Sequence, residues 1–471
     1  MRPAFCVRLI GALWIICPLV VGAADAQKQP KKVDCMKDLR AANLVMNAAW
    51  AFKRYRFSES RTFTLVAVSV AKAARAAKAP EACADVLERY LAQLNDGHAG
   101  LQYYPGVEYS RPAIALLSVR LEDSRYAGGD PAVRGYVSAR DTADETVREI
   151  TPGSELLSVD GVPIDSGYAV VQARSPGSTQ QWRDYMADSK LLRGPADSVV
   201  ELTLREPDGH TRAIRVRRPP FNGYRGESLD TVLFWDTLHV SRWERLEGGW
   251  GYLRYYSFLH RDAESAAAAF EEALDSVMDT PGLIIDLRGN SGGFVDAIGL
   301  IAGRFITDEA TLGFTFGLEK AREKKIKFKD WDPTAVSDTN RTPVVATPRQ
   351  NVYAGPLVIV IDRGCFSACE GFAGGLQAIG RALVVGSPSG GGGGLAMAAE
   401  LPSGAIIAFS WSVFWLPDGQ LIEGRGILPD VYVTSRPRDW TSGRDRVLER
   451  AIRALERGEA MPLTGHTEEI R

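Results

Sequence analysis

The segment PLVIVIDRGCFSACEGFAGGLQAI, residues 356–379, decides the fold of this chain. Its first part is an uninterrupted apolar run, typical of a strand that is buried on both faces of a parallel sheet, and its last part is an apolar stretch long enough for a helix. Ser367 lies where the strand would turn into the helix. A side chain at such a turn points outward, beside backbone N–H groups that lack partners within the helix. Ser367 is therefore the candidate nucleophile.

A second apolar run upstream has the same form. The stretch LIIDLRGNSGG, residues 283–293, is predicted to be a buried strand that ends in a glycine loop. Backbone N–H groups in this loop, and at the start of the helix, can bind the negative oxygen that develops on a carbonyl under nucleophilic attack. Ala368, with Gly292 or Gly293, is therefore a candidate oxyanion donor, and a plain strand-to-helix turn is the alternative for the loop.

Predicted strands and helices alternate between residues 221 and 440. This alternation implies βαβ crossovers around a largely parallel sheet, which is an α/β fold. Residues 306–352 are polar and rich in lysine, and are expected to form a long surface insertion around the mouth of the site. The five glycines at 390–394 are expected to be a flexible surface loop or a mobile lip over the substrate. The predicted strands are 250–255, 282–287, 356–361 and 382–385, and the predicted helices are 262–277, 293–305 and 367–379.

The chain on either side of this α/β domain has a different texture. Residues 27–103 begin with a polar stretch and continue as amphipathic helices, which indicates an N-terminal helical domain. Residues 104–220 consist of short β-prone runs separated by turns, which indicates a β-rich domain. Residues 441–471 hold a last amphipathic helix, predicted at 445–456, and a tail.

Composition and charge limit the function classes. The 471 residues, 45% hydrophobic and 24% charged, are ordinary for a globular protein and sufficient for two or three domains. The net charge of −2 offers no basic surface to nucleic acid or to an anionic membrane. The five histidines show no metal-ligand spacing, so no metal or other cofactor is implied.

The N-terminus predicts export. Two arginines precede an apolar stretch over residues 9–21, and an Ala-Asp-Ala cleavage site follows at 24–26. A membrane anchor is the alternative, but the stretch is short for a bilayer span and contains a proline. Residues 1–26 are therefore expected to be a signal peptide, and the mature protein is expected to be periplasmic or secreted, with no stable membrane anchor.

Signal cleavage would leave four cysteines, an even number in an oxidising compartment. Cys35 and Cys83 both lie in the helical domain and could form a disulfide or remain two separate buried thiols. Cys365 and Cys369 bracket Ser367. A bridge there would stiffen the turn, and two small buried side chains are the simpler interpretation.

The blocks DLRGNSGG and GCFSACE, with the strand GRALVVG after them, resemble the tail-specific, or C-terminal processing, serine peptidases. The match runs without a gap from Gly364 to Gly386, and a weaker similarity extends over most of the mature chain. The resemblance implies a ClpP/crotonase-like catalytic domain with Ser367 as the nucleophile. The chain departs from the family at Gly392, which lies where the general-base lysine stands, so a Ser-Lys dyad is absent.

A histidine can take the place of that lysine. The run LNDGHAGL resembles the segment that supplies a histidine base in the tricorn branch of the same peptidases, which makes His98 the candidate base. Without the resemblance, His98 is simply a helix-end histidine. Gly97 stands where the tricorn branch has a serine, so the auxiliary hydroxyl of that branch is missing. The run GQLIEGRGILPD resembles the segment with the tricorn glutamate: Glu423 matches it, and Glu370 is a second candidate for the acid that orients the histidine.

Residues 151–163 and 199–205 resemble a turn with its strand, and the closing strand, of a PDZ domain. A PDZ domain binds a peptide by adding it as a strand to a sheet edge, while backbone amides hold the terminal carboxylate. The PDZ-like domain could therefore bind polypeptide C-termini, or it could be a β-rich spacer between its neighbours.

Together the residues and the resemblance predict an exported serine endopeptidase. It would hydrolyse peptide bonds in unfolded or C-terminally tagged polypeptides by a Ser-His-Glu mechanism, through Ser367, His98 and Glu423. One alternative is a non-catalytic peptide-binding protein that keeps the fold and has lost the base lysine. Another is an enzyme that acts on esters or lipids through the same residues, because the nucleophile alone does not separate amides from esters.

Overall fold

The computed structural model describes residues 33–57, 60–112, 114–120, 133–219, 240–324 and 340–463, together with 332 and 336. The predicted signal peptide, residues 1–26, lies outside the described residues. Within the described ranges, none of the helices combines the length and the apolar composition that a membrane span requires.

The helices and strands are numbered here in chain order. The helices are α1 (Cys35–Ala49), α2 (Lys53–Arg56), α3 (Ser60–Ala76), α4 (Pro80–Ala92), α5 (Ile164–Gln172), α6 (Gln180–Leu191), α7 (Ala263–Asp275), α8 (Asp296–Ala302), α9 (Leu318–Glu323), α10 (Ala368–Ala378), α11 (Pro437–Thr441) and α12 (Arg446–Glu456). The strands are β1 (Gly100–Tyr103), β2 (Tyr109–Ser110), β3 (Ile114–Arg120), β4 (Val133–Arg140), β5 (Glu155–Val159), β6 (Val162–Pro163), β7 (Gly194–Pro195), β8 (Val199–Arg205), β9 (Thr211–Arg217), β10 (Ser241–Arg245), β11 (Gly251–Tyr255), β12 (Leu283–Asp286), β13 (Ala310–Gly317), β14 (Thr342–Ala346), β15 (Leu357–Ile361), β16 (Leu383–Gly386), β17 (Ala396–Glu400), β18 (Ile406–Ser410), β19 (Ser412–Trp415) and β20 (Val431–Tyr432).

The central sheet accounts for the long apolar runs of the sequence. Its strand order is β10-β11-β12-β15-β16-β20, in which β10 is antiparallel to β11 and the other pairs are parallel. Successive side chains of a strand point to opposite faces. In β15, Leu357, Ile359 and Ile361 therefore enter the core that α7, α8 and α10 cover, whereas Val358 and Val360 pack with α12. Both faces are buried, so the strand is apolar at every position.

The parallel pairing of β12 with β15 brings two loops to one edge of this sheet. The Gly289 N–H in the loop after β12 donates a hydrogen bond to the Asp362 carboxylate (2.8 Å). The Phe366 N–H in the loop after β15 donates to the Asn290 carbonyl (3.0 Å). The predicted glycine loop and the Ser367 turn therefore lie side by side.

Helices α1, α3 and α4 share a core with two small sheets, β1-β18-β17 and β14-β13-β19. A disulfide joins Cys35 of α1 to Cys83 of α4. The prediction of one long surface insertion at 306–352 is wrong where β13 and β14 form. These strands are ordered because they pair with each other and because β13 buries Leu312 and Phe316 in the protein core.

The β-rich region forms an antiparallel sheet of order β3-β4-β5-β8-β9, with β6 paired to β5 and with α5 and α6 packed around its core. Helix α6 also contacts the α/β unit. Asp188 forms an ion pair with Arg363 in the loop before the serine turn. The Thr179 hydroxyl, at the start of α6, donates to the Gly390 carbonyl (2.5 Å). The β-rich region thus touches the loops on both sides of Ser367.

A buried ion network fixes the end of β12. The carboxylate of Asp286 is fully buried and pairs with Arg254 (2.7 Å) and Arg288 (2.5 Å). Arg288 also pairs with Asp445 at the start of α12 (2.7 Å). Burial alone would raise the pKa of Asp286, but the two guanidinium groups hold this pKa well below its usual range. The network ties α12 to the sheet edge at which the serine turn lies.

The substitution Arg288→Ala should lower the free energy of unfolding by about 2–4 kcal/mol, because it leaves a buried carboxylate with one of its partners missing. The matched substitution Arg242→Ala breaks only an exposed pair with Glu244 and should cost less than about 1 kcal/mol. Chemical denaturation followed by circular dichroism measures both changes. Equal, small effects would contradict a stabilising role for the network.

Candidate active site

Ser367 lies at the N-terminus of α10, directly after the loop that follows β15. Its backbone has φ of 58° and ψ of −120°. This region costs a residue with a side chain about 1–3 kcal/mol, and a strained strand-to-helix turn of this kind presents the serine hydroxyl away from the sheet. A disulfide between Cys365 and Cys369 spans the turn, where the sequence favoured two separate buried side chains.

Glu370 joins the serine turn to the five-glycine loop. It is fully buried, and its carboxyl oxygens accept four hydrogen bonds of 2.5–2.9 Å, from the N–H groups of Ser367, Gly391 and Gly392 and from the Ser389 hydroxyl. Burial raises the pKa of Glu370 to about 7, although these donors oppose the shift. Glu370 therefore holds the shape of the turn, and it makes no hydrogen bond to the candidate histidine.

The five-glycine loop, residues 390–394, is buried and is not a surface loop or a lip. A side chain at Gly392 would overlap the Phe366 ring, and one at Gly390 would lie 2.6 Å from Trp182. Phe366 itself stacks on Trp182 of α6, with ring centroids 3.8 Å apart. The Phe366 ring therefore fills the space in which a lysine side chain at position 392 would begin, which gives a physical reason for the glycine there.

His98 reaches the serine turn from the segment between α4 and β1. Its ring lies against the ring of Phe366, the residue before Ser367, with centroids 4.7 Å apart. Nδ1 lies 3.3 Å from the Ser410 hydroxyl, and Nε2 is buried without a hydrogen-bond partner among the described residues. Burial lowers the pKa of His98, and the charge of Asp96 opposes this shift. The structure thus places a neutral ring beside the serine turn, without a direct hydrogen bond between His98 and Ser367.

Glu423 lies in the segment after β19 and is almost completely buried. Its carboxyl group accepts hydrogen bonds from Arg56 of α2 (3.0 Å) and from the Gly393 N–H (3.1 Å). Burial raises the pKa of Glu423 well above its usual range, the charge of Asp96 adds to this shift, and Arg56 opposes it. No hydrogen bond links Glu423 to His98. The carboxyl group therefore belongs to the buried cluster around the histidine but is not hydrogen-bonded to the ring.

Gly292 packs directly on the serine turn. A Cβ atom there would lie 2.7 Å from the Ala368 nitrogen, and the φ of 93° is one that glycine adopts most easily. The Gly292 N–H already donates to the Asn290 side chain (2.9 Å). The N–H groups of Ala368 and Gly293 have no acceptor within the described part of the chain. Of the three candidate oxyanion donors, these two are the available ones.

A small pocket opens beside the Ser367 side chain. Apart from the serine turn and the glycine loop, its lining consists of apolar side chains, those of Val295, Ile298, Leu395, Phe414 and Ile422. Such a lining suits an apolar group next to the nucleophile.

The polar partners of the two candidate residues His98 and Glu423 are not among the residues predicted from the sequence. Asp96 lies two positions before His98, so a carboxylate near the ring could have been predicted from the Asp-Gly-His sequence. Ser410 and Arg56 are remote in sequence and belong to no motif. Among the residues that the structure describes, no group of three or more His, Cys, Asp or Glu side chains could hold a metal ion.

The α/β region is similar to a known protein family. Residues 249–433 match the family model described as Peptidase family S41. The chloroplastic C-terminal processing peptidase of Tetradesmus obliquus is 27% identical over 249 residues, which cover 52% of this chain and 48% of that protein. The putative tricorn protease homolog 2 of Streptomyces coelicolor is 26% identical over 399 residues, which cover 81% of this chain and 29% of that protein. The chain spans about half the length of the curated relatives that it matches first.

A crystal structure of mature CPAF has the same fold, with a TM-score of 0.68 at 18% identity, over 92% of this chain and 99% of that one. The chain therefore has a mixed α/β fold with a helical N-terminal region, and its residues 249–433 are similar to a peptidase family. Residues 249–433 are thus similar to peptidase family S41, and the chain is similar to carboxy-terminal-processing proteases and to a tricorn protease homolog.

The substitution Gly392→Ala should lower the free energy of unfolding by about 1–3 kcal/mol, because the added methyl group overpacks the Phe366 ring that Trp182 holds in place. The control Gly100→Ala, where the nearest atom is 3.4 Å away in the Gln102 side chain, should cost less than about 1 kcal/mol. Adding Phe366→Ala to Gly392→Ala should give a smaller loss than the sum of the single losses. Urea unfolding measures these free energies. If the loss in the double variant equalled the sum of the two single losses, the overlap between the added methyl group and the Phe366 ring would be contradicted.

Proposed function

We propose that this protein is an exported serine peptidase that hydrolyses peptide bonds in unfolded or C-terminally tagged polypeptides. The observation that carries the proposal is the strained turn at Ser367 with the buried ring of His98 packed against the residue before it. A serine hydroxyl needs a base beside it, and strain at a buried strand-to-helix turn points to a function. The similarity to peptidase family S41 supports the same reaction class.

In the proposed reaction, the Ser367 oxygen attacks the carbonyl carbon of the scissile bond while Nε2 of His98 takes the hydroxyl proton. A neutral ring is required for this step, and burial of His98 favours the neutral form. The direct Ser367–His98 hydrogen bond has to form when substrate binds. Catalytic hydrogen bonds are often long without substrate, and a shift of the Phe366 ring, which packs against His98, is proposed to accompany this step.

The N–H groups of Ala368 and Gly293 are proposed to stabilise the oxyanion, with Gly292 as the close contact that sets their spacing. A single donor of this kind contributes about 3–4 kcal/mol to the transition state. His98 then gives its proton to the leaving amine, and an acyl ester remains on Ser367. A water molecule, deprotonated by His98, hydrolyses this ester and releases the serine.

Glu423 is proposed to support His98 electrostatically rather than by direct contact. When ionised, a carboxylate in this cluster favours the imidazolium form that develops during the attack. Arg56 and the Gly393 N–H hold the carboxyl group in place. The absence of a hydrogen bond between Glu423 and the ring is the reason for assigning it this weaker role.

Export and the nature of the substrate are further parts of the proposal. The two disulfides fit an oxidising compartment, and the signal-like N-terminus fits a periplasmic or secreted location. The names of the related C-terminal processing proteases suggest a polypeptide substrate. The PDZ-like region would present such a chain, because α6 contacts both loops beside Ser367.

The alternative is a peptide-binding protein that has the fold without the activity. The missing hydrogen bond between Ser367 and His98 and the glycine at position 392 favour it. The two functions differ in one chemical property, the reactivity of the serine hydroxyl.

A serine-directed phosphonate should label the folded protein on Ser367, and Ser367→Ala should abolish the label and reduce peptide hydrolysis by at least about 10³-fold. Mass spectrometry of the labelled peptide identifies the site. Ser276→Ala, at the exposed end of α7, should leave both unchanged. An unlabelled wild-type protein would favour the peptide-binding alternative, and faster hydrolysis of short acyl esters than of any peptide in a library would favour an esterase.

The value of kcat/KM should fall as the pH is lowered through the pKa of His98, because the protonated ring cannot accept the serine proton. Burial lowers this pKa, so the acidic limb of the profile should lie below the ordinary histidine value of 6.5. Glu370 titrates nearby, with a pKa of about 7. The temperature dependence of the limb separates the two, since imidazole ionisation is strongly endothermic and carboxyl ionisation is not. A limb above 6.5 would remove His98 from the proposed role.

A further inference from the structure

We infer that Ser410 and Asp96 form the pair that positions His98, by holding the ring proton on Nδ1 and leaving Nε2 free to act as the base. The inference rests on the proposed function, since it concerns the base of that reaction. Both residues act through His98, so they are positioning residues. The motifs in the sequence assign a role to neither of them.

Asp96 is fully buried and accepts four hydrogen bonds. Three come from N–H groups at 2.9 Å, those of the Trp50 indole and of the His98 and Ser410 backbone. The fourth comes from the Ser410 hydroxyl at 2.7 Å. N–H groups can only donate, and they reach both carboxyl oxygens, so an ionised carboxylate satisfies every partner. The Ser410 hydroxyl is thereby left to donate its proton to Asp96.

The Ser410 oxygen then has lone pairs for the His98 ring. Nδ1 lies 3.3 Å from it, and a ring nitrogen that faces a lone pair must carry a proton to form a hydrogen bond. A neutral imidazole has one proton, so Nε2 keeps the lone pair. Nε2 is the buried ring nitrogen that has no partner within the described residues. The arrangement therefore selects the tautomer that a general base needs.

The pairing of β1 with β18 enforces this contact. The two strands are antiparallel, with Gly100 opposite Ala408. His98 lies two residues before Gly100, and Ser410 lies two residues after Ala408. Continued by two residues, the same antiparallel register therefore places His98 opposite Ser410. The Ala51 N–H donates to the Ser410 carbonyl (2.9 Å) and holds the end of β18. The positioning pair is therefore built by the fold before any substrate binds.

The other buried carboxyl group does not make this contact. Glu423 bonds to Arg56 and Gly393, and burial together with the Asp96 charge raises its pKa, which favours its neutral form. Asp96 is the charge that acts on the ring. Ser410 supplies from a distant strand the hydroxyl that position 97 lacks. The two carboxyl groups thus have different roles: Asp96 sets the tautomer through Ser410, whereas Glu423 makes no hydrogen bond to the ring and acts on it only through its charge, when it is ionised.

The tautomer can be measured directly by nitrogen NMR of protein labelled with ¹⁵N-histidine, at a pH above the ordinary range of histidine. The chain has five histidines, and the signals that vanish in His98→Gln belong to His98. The wild-type ring should be protonated on Nδ1. Ser410→Ala should give a mixture of the two tautomers. A wild-type ring protonated on Nε2, or an unchanged tautomer in Ser410→Ala, would overturn the inference.

The substitution Asp96→Asn should invert the tautomer. One oxygen of Asp96 accepts hydrogen bonds from two N–H groups, those of the Trp50 indole and the Ser410 backbone. An amide NH₂ group in that position would face both donors, so it is less unfavourable in the other position, beside the Ser410 hydroxyl. Ser410 would then accept from the amide and donate its proton to Nδ1, and the ring proton would move to Nε2. An Asp96→Asn ring that keeps its proton on Nδ1 would count against the pair. If this variant does not fold, Ser410→Ala, which removes one oxygen, still provides the test.

Hydrolysis measures the consequence for the base. Ser410→Ala should lower kcat by about 10- to 100-fold with little change in KM, a part of what general base catalysis contributes. Asp96→Asn should cost about 10³-fold or more, as expected for a wrong tautomer. The matched control is Tyr104→Phe, because the Tyr104 hydroxyl is also buried and lies 3.4 Å from a carboxylate, that of Asp38. It should change neither kcat nor the His98 signal.

The two readouts separate the inference from the proposed function. If the wild-type protein hydrolyses no peptide but its His98 tautomer responds to Ser410→Ala as expected, the proposed function fails and the positioning pair stands. If hydrolysis is intact in wild-type protein and Ser410→Ala changes neither kcat nor the tautomer, the positioning pair fails and the peptidase stands.

Discussion

The burial of β15 on both faces is the constraint from which the rest of the site follows. Helices cover both faces of β15, so the chain can continue into the next helix only from the end of the strand. It therefore turns sharply into α10 after Ile361. Its parallel partner β12 ends at the same edge. The two loops therefore share one surface, and Ser367 and Gly292 are in contact there. The strain at Ser367 persists because the disulfide, Glu370 and the adjacent loop fix the turn from several sides.

Closure of the site depends on elements that are far apart in sequence. The pairing of β1 with β18 positions His98, which lies just before β1. The core that these two strands share with α1, α3 and α4 stabilises the pairing. Helix α6 brings Trp182 against Phe366, and Phe366 in turn touches His98. A row of three rings thus connects the β-rich region with the serine turn and the base. A change in the position of α6 would shift the serine turn, because the packed rings have little free space in which to adjust.

Three buried carboxyl groups around the serine turn are stabilised in different ways. Asp96 and Glu370 are each surrounded by four hydrogen-bond donors, whereas Glu423 has a guanidinium and one backbone N–H. Burial is costly for each, and the protein meets this cost mainly with backbone donors. Backbone donors hold a carboxylate in a fixed orientation. The turn, the glycine loop and the histidine therefore keep their relative positions without substrate.

The sequence by itself determined the local features: the strands and helices of the central α/β unit, the serine at a strand-to-helix turn, the glycine loop and the histidine at the end of α4. These depend on apolar periodicity and turn residues, which act between neighbours in the chain. Tertiary structure decided the burial of the five-glycine loop, the strands within residues 306–352, the bridge between Cys365 and Cys369, and which polar groups meet His98. Ser410 faces Nδ1 only because two distant strands pair in one register. Such contacts depend on the packing of the whole molecule, because no local pattern fixes the distance between residues that are remote in sequence.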